Sequence, residues 1–546
     1  MTFTQPPPAL GHPFDDDWML RSHLTRVLPP EVSADVLPAL RALGERCAKE
    51  LYPLQLADRL NEPVLIQWDA WGNRIDRIEL TRVWQVAERL AAEHAVVATA
   101  YEARHGAFSR VHQFALAYLF APATDMYACP LAMTDGAART LLTLGSRDLI
   151  ERAVPRLTSR DPARFWTSGQ WMTELAGGSD VGRSETAARQ DPDGTWRLYG
   201  RKWFTSAVTA PMALVLARPE GNPPGGRGLA LFYVETRDAQ GRPNRFQVDR
   251  LKDKLGTRKL PTAELTLEGT PALPVAGLRE GVRHIAPMLN LTRLWNSVSA
   301  AASMARGLAL AWDYARKRVA FGAPLAELPL HAETLLQLEA EFAAAFQLTF
   351  YLVELQGRQE AGEIGEVEAL RLRLLTPIAK LLTAKQAIAV ASEVLECFGG
   401  AGYLEDTGLP ALLRDCQVLS IWEGTTNVLS LDALRALKAT GGLTSIEDLL
   451  ARLRPGIEEA ALHRVFDVAE AALGHARHWL ARAEQAGPPV LEAGARRFAM
   501  TLGRAVAAAL LARHAQWCLD REGDGRCRGA ARRFAATPID QIQEDS

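Results

Sequence analysis

Apolar positions recur at helical spacing from about Asp35 to Leu157, as in Val83, Val86, Leu90 and Ala91 and again in Phe114, Leu116 and Leu119, which predicts an N-terminal helical domain. One stretch breaks the pattern. Residues 63–74, from Pro63 through Trp68 to Gly72 and Arg74, read as an extended excursion closed by a glycine turn. Near Phe165 the period shortens to two: a turn at Asp191-Pro192-Asp193-Gly194 leads into alternation at 195–199, and apolar runs follow at 212–216 and 229–234. With short strands at 246–248 and 263–267 these predict a central β domain, a small barrel or sandwich. Helical spacing returns at Val282 and lasts to about Leu437. Ile378, Leu381, Leu382, Ile388, Ala391, Leu395 and Phe398 mark one face of a long helix that Gly399 and Gly400 end as caps do. Long helices with short polar joints predict an antiparallel bundle. Beyond Gly441-Gly442 a further helical stretch reaches about Ala535. The chain is therefore expected to be α+β and multidomain. It reads as a helical domain with a Pro-rich arm (1–164), a β domain (165–278), a helical bundle (279–440) and a helical extension (441–546), without internal repeats.

Composition narrows the function classes. With 546 residues the chain exceeds what one core usually holds. Its 62 Lys and Arg nearly balance 64 Asp and Glu, so no long-range field draws it onto polyanions. The six cysteines, Cys47, Cys129, Cys397, Cys416, Cys518 and Cys527, show no zinc spacing. Reduced thiols and no metal are expected. The start carries Pro6-Pro7-Pro8 and Asp15-Asp16-Asp17 in place of a signal peptide, and no apolar run is read as approaching the roughly 20 residues a membrane span needs. A soluble cytoplasmic protein without membrane contact is expected.

Four segments carry candidate chemistry. Glu423, in Trp422-Glu423-Gly424-Thr425-Thr426-Asn427, has no cation near it in sequence and a Trp beside it; an apolar setting raises a carboxyl pKa, as a base abstracting a C–H proton requires. The loop Thr173-Glu174-Leu175-Ala176-Gly177-Gly178-Ser179-Asp180 offers hydroxyls and unshielded backbone N–H groups to a heterocycle or pyrophosphate. Trp203-Phe204-Thr205 sets an aromatic plane beside a hydroxyl, able to back an isoalloxazine ring. Arg318, where a helix closes before Phe321-Gly322, could balance the helix dipole or clamp a pyrophosphate with its planar guanidinium.

In their order and spacing these segments resemble the acyl-CoA dehydrogenase family over about residues 35–437. The Pro-rich arm, Asp69-Ala70-Trp71-Gly72-Asn73-Arg74-Ile75-Asp76, the doubled glycine at 177–178 and the extension are similar to its AidB-like, adaptive-response branch. The resemblance implies the acyl-CoA dehydrogenase fold, with a four-helix bundle and an extra helical extension, FAD as cofactor and an acyl-CoA substrate. By position, Met172, Thr173, Gly178 and Ser179 would line the flavin and Trp203, Phe204 and Thr205 would cover its ring. Arg318 and Phe321 would reach the FAD of a neighbouring subunit, so a homodimer or homotetramer is expected. Glu396, Gly399 and Gly400 would meet that cofactor's adenosine-pyrophosphate end, and Thr425 and Asn427 would complete the pocket. Glu423 matches the family's base in its usual place; the alternative place falls on Thr292, which is no base, beside Arg293, a second catalytic candidate. Glu396 stands where most members have Gln, and it puts a carboxyl near a pyrophosphate.

The AidB likeness also implies a competing role, a DNA-binding flavoprotein of the alkylation-damage response with little dehydrogenase turnover. Against it, residues 441–546 hold 14 Arg and 14 Asp or Glu, a poor electrostatic footprint. Arg526, Arg528, Arg532 and Arg533 are the local cluster that could meet a phosphate backbone.

Overall fold

The computed structural model describes residues 4–543. The chain packs as two compact units, one of residues 1–52, 103–122 and 296–546, the other of residues 53–102 and 123–295. The division falls inside the Ala286–Lys317 helix, between Trp295 and Asn296.

The second unit is organised by a β barrel. Met212–Pro219 pairs in parallel with Ala187–Gln190, which pairs antiparallel with Trp196–Ser206, then with Thr262–Pro274, Ala230–Glu235 and back to Met212–Pro219. The ring of five strands closes, and so leaves no edge among them. Ser168–Trp171 pairs in parallel with Met212–Pro219, and Phe246–Leu251 pairs antiparallel with Thr262–Pro274. Trp171, Leu198, Val215, Phe232, Val234, Val248 and Leu265 fill the core. The extended excursion is a hairpin, Val64–Trp68 paired with Arg74–Glu79, turning at Gly72 with φ +82°. Leu65 and Ile78 pack against the barrel core. Its polar side chains also serve the barrel: Asp76 accepts from Val248 N at 3.0 Å, while Arg74 and Gln67 donate to Val248 O at 2.9 and 3.0 Å. The backbone N–H and C=O of Val248 are thereby satisfied by side chains.

The first unit is helical. Residues 296–317 of their helix, Pro329–Glu360, Glu366–Cys397, Ala460–Ala486 and Pro488–Glu522 are its long elements, and Leu409–Val418, Thr426–Ala439 and Arg526–Ala535 are among its shorter ones. Of the face read on Glu366–Cys397 and just beyond it, Ile378, Leu381, Leu382, Ala391 and Phe398 are buried, while Ile388 and Leu395 are half-buried. Gly399 takes the left-handed φ of +59° just beyond that helix, the position a glycine terminates best. Among the described residues this helix is long and apolar enough by composition to cross a membrane, contrary to the reading that no run comes near that length; 83% of its apolar window is buried within the fold. A bundle core, apolar on every side, needs the same composition.

Candidate functional site

In the barrel unit the two flavin motifs are joined. Trp203 N donates to Thr173 O at 2.9 Å, tying the loop after Ser168–Trp171 to the Trp196–Ser206 strand. The register of that strand against Thr262–Pro274 shifts between Lys202 and Thr205, so a bulge re-aims Trp203 and Phe204. Lys252 Nζ sits 3.3 Å from the Trp203 ring centroid and 4.7 Å from that of Phe204, and donates to Glu264 at 2.7 Å. One face of the half-buried Trp203 is thereby taken by a cation.

Beneath the loop lies an ion pair contributed by the motifs themselves. Lys202 Nζ donates to Glu174 Oε1 at 2.7 Å and to Leu216 O at 2.8 Å. Glu174 also accepts from Glu185 N, Thr186 N and Thr186 Oγ1. Burial pushes Glu174 up, but Lys202 and these donors hold it below its ordinary range, while burial pushes Lys202 down. Glu174, read as part of the candidate loop, is used by the fold as a brace with Lys202.

Two observations fit a flavin here. Thr205 is 1% exposed and its Oγ1 has no partner among the described residues, so a buried hydroxyl waits for one. The loop also admits a close approach. Gly177 has φ +117° with open space around it, and a Cβ on Gly178 would stand 2.6 Å from Thr173 Oγ1. Gly178→Ala must therefore displace the Thr173 hydroxyl, and we expect FAD affinity to fall roughly tenfold, the worth of about one hydrogen bond, read as FAD lost on dialysis. Met172 accepts from Gln170 through its sulfur at 3.1 Å. Ser179 is exposed at the loop tip. Thr292 is buried and spends its hydroxyl on Leu289 O, and Arg293, one residue on, is half-buried.

In the helical unit Glu423 occupies the turn between Leu409–Val418 and Thr426–Ala439, at φ +56°. A non-glycine residue holds that conformation only when neighbours impose it. Trp422 Nε1 donates to Asn296 Oδ1, and Thr425, the N-cap, accepts from Val428 N at 3.5 Å. Lys380 Nζ donates to Gly424 O at 2.7 Å. The expectation of no cation near Glu423 is thus corrected, because the Glu366–Cys397 helix brings in a fully buried ammonium from 43 positions earlier. Asn427 is exposed on the first turn that follows.

A second group gathers elsewhere in this unit. The Tyr314 and Phe398 rings lie 4.6 Å apart, which sets the end of the Ala286–Lys317 helix beside Glu396, Gly399 and Gly400. Arg318 donates to Gln5 Oε1 at 3.4 Å, and Phe321 is 97% exposed at φ +51°. Glu396, Gly399 and Gly400 are exposed. A cavity of about 500 Å³ in this unit, lined by Trp18, Tyr118, Arg306 and Trp312, holds none of the sequence-derived candidates. In the extension, Arg526 pairs with Asp524 at 2.6 Å, Arg533 with Glu333 at 2.9 Å and Arg528 faces Glu459 at 4.0 Å, while Arg532 is exposed. Lys380, Asn296, Lys252 and the His514, Cys518 and Cys527 cluster were not singled out from sequence. Of these only His514 and Cys518, one helical turn apart, left a local signal.

Successive parts of the chain match the Adaptive response protein AidB N-terminal domain (residues 5–162), the Acyl-CoA dehydrogenase middle domain (169–270), the Acyl-CoA dehydrogenase C-terminal domain (279–438) and the Acyl-CoA dehydrogenase 11 C-terminal domain-like description (444–545). The chain belongs to the acyl-CoA dehydrogenase family, FAD-dependent flavoprotein oxidoreductases, and carries the AidB-type N-terminal domain. It is 43% identical to acyl-CoA dehydrogenase family member 11 of Caenorhabditis elegans over 530 residues, covering 94% of this chain and 86% of that one. It is 33% identical to the putative acyl-CoA dehydrogenase AidB of Escherichia coli (strain K12), covering 75% and 74%. The crystal structure of Caenorhabditis elegans ACDH-11 in complex with C11-CoA superposes with a TM-score of 0.96 at 40% identity, covering all of this chain and 94% of that one.

Proposed function

We propose that the chain dehydrogenates an acyl-CoA thioester between carbons α and β, with Glu423 as the base that takes the α proton. The observation that carries this reading is the pinned turn: a carboxylate in a left-handed conformation, with Trp422, Gly424 and Thr425 each restrained. Fixed position is what a general base acting on a weak carbon acid needs. The Lys380 ammonium on Gly424 O and the start of the Thr426–Ala439 helix both place positive potential beside the turn. FAD, when bound, supplies the two-electron acceptor for the hydride from carbon β. Toward it we assign the Thr205 hydroxyl, the Trp203 ring and the Gly177-Gly178 loop, with Met172, Thr173 and Ser179 around it. Arg293 is assigned to orient substrate.

The C11-CoA bound to the relative supports acyl chains of comparable length here. An absorbance titration of FAD-replete protein with acyl-CoAs of increasing length tests the reading. Bleaching of the flavin band that rises toward such lengths is expected, and no bleaching at any length overturns it.

We also assign Arg318, Phe321, Glu396, Gly399 and Gly400 to the cofactor of a second subunit. An apolar ring 97% exposed in a strained turn supports a surface that is covered in an assembly. Phe321→Asp is expected to lower both the mass measured by light scattering and the FAD retained. A wild-type holoprotein that is monomeric contradicts the assignment.

A further inference from the structure

We propose that Cys518 and Cys527 form an oxidative modification site, a dithiol that hydrogen peroxide converts to an intrachain disulfide joining the Pro488–Glu522 and Arg526–Ala535 helices. Their sulfurs lie 3.4 Å apart, across the Gly523-Asp524-Gly525 turn. A disulfide needs about 2.05 Å, so the two must approach by little more than an ångström. Ser22 Oγ stands 3.3 Å from Cys518 Sγ, 3.3 Å from His514 Nε2 and 2.8 Å from Glu522 Oε2.

The two sulfurs are unequal. Hydrogen bonding from Cys527 holds the Cys518 thiol below its ordinary value, with help from Ser22 and against burial and the charges of Glu522 and Asp524. The same contact, with burial, pushes Cys527 well up. One sulfur is thus suited to attack and its neighbour to resolve. Elsewhere burial pushes Cys47 and Cys416 up to about 12 and Cys397 up to about 11, which makes them slow to react.

His514 lies in the same cluster, all three donor atoms within 4.8 Å, which raises the alternative of a bound metal. Its hydrogen bonding opposes that. Arg26 Nε, always a donor, points at His514 Nδ1 from 3.1 Å, so the ring's lone pair is engaged there and its proton sits on Nε2. Burial and Arg26 lower the ring's pKa to about 3, which keeps it neutral. A guanidinium against the ring also repels a cation. Access is the remaining requirement, since both cysteines are 1% exposed. Cys527 is the second residue of a ten-residue helix that follows a turn with two glycines, and local opening of that turn admits a molecule of peroxide's size.

The Cys518 thiolate attacks one peroxide oxygen, the O–O bond breaks, and the departing hydroxide takes a proton to become water, leaving a sulfenic acid. The Cys527 sulfur then displaces the sulfenic hydroxyl, which leaves as water with the Cys527 proton. Two thiols lose two electrons in total, and peroxide gains them.

The test is titration of the full-length holoprotein with hydrogen peroxide, followed by alkylation, trypsin cleavage without reductant and mass spectrometry. The expected product links the peptide of residues 514–521 to the dipeptide Cys527-Arg528, two hydrogens lighter than their sum, while Cys47, Cys397 and Cys416 remain alkylatable. In Cys527→Ser the link is lost and Cys518 is trapped by dimedone as the sulfenic acid. Oxidation of Cys397 ahead of Cys518, or no linked peptide under conditions that inactivate the thiols, overturns the proposal. So does stoichiometric zinc in the purified protein that shields both thiols until a chelator removes it.

Discussion

Glu423→Gln is expected to retain FAD and to lose acyl-CoA-dependent flavin bleaching by roughly a hundred- to ten-thousandfold in rate, the usual contribution of a positioned general base. Gln preserves the size of the side chain, and the Trp422–Asn296, Lys380–Gly424 and Val428–Thr425 hydrogen bonds are made by atoms other than the Glu423 carboxylate. The turn should persist. Rapid mixing with an acyl-CoA, beside a flavin spectrum of the resting variant, separates the two effects. Bleaching at the wild-type rate would remove Glu423 from the mechanism and leave FAD binding untouched. Loss of FAD would instead show that the side chain supports the pocket.

Lys202→Met is expected to lower the stability of the barrel unit by about 3–5 kcal/mol, because it strands a carboxylate that is only 4% exposed. For a unit of this size the midpoint of thermal unfolding should fall by on the order of 10 °C. Adding Glu174→Gln should restore part of the loss, since the double variant buries no net charge. The pH dependence has a definite sign. Glu174 is held below its ordinary 4.5 in the fold, so its contribution is complete above that value and disappears as pH falls through the lower folded value. Acid should therefore destabilise the wild type, and the double variant should lose that component of the slope. Circular dichroism melts between neutral pH and pH 3 measure both. An unchanged acid limb in the double variant would show that the pair does not govern it. The pair also lies under Thr173 and Trp203, and so FAD retention should fall with Lys202→Met.

How far the sequence reaches depends on the range of the interaction. The alternation at 195–199 located a strand, but the strand runs on to Ser206 through a bulge, because pairing with Thr262–Pro274 continues where the local pattern stops. Residues 63–74 were legible as extended and turning. That the hairpin lays Asp76 and Arg74 on Val248 was not, since no local signal links positions 172 apart. The motif around Glu423 was readable as a turn before a helix, whereas Lys380 and Asn296 reach it only through packing. The arginines at 526–533 read as a basic cluster; Glu459 and Glu333 meet Arg528 and Arg533 only in the fold.

By itself, the sequence determined the succession of helical, strand and helical segments, the glycines at 177–178 and 399 and the residues that resemble a flavoenzyme. Each of these follows from periodicity, backbone permissiveness or side-chain chemistry within a few neighbouring positions. Tertiary structure decided that the barrel closes, that Glu174 and Lys202 brace each other, that an ammonium stands beside the Glu423 turn, and that Cys518 meets Cys527 beneath Ser22. All four depend on buried charges, strand edges or thiols finding partners beyond the reach of local pattern, and it is desolvation on packing that selects those partners.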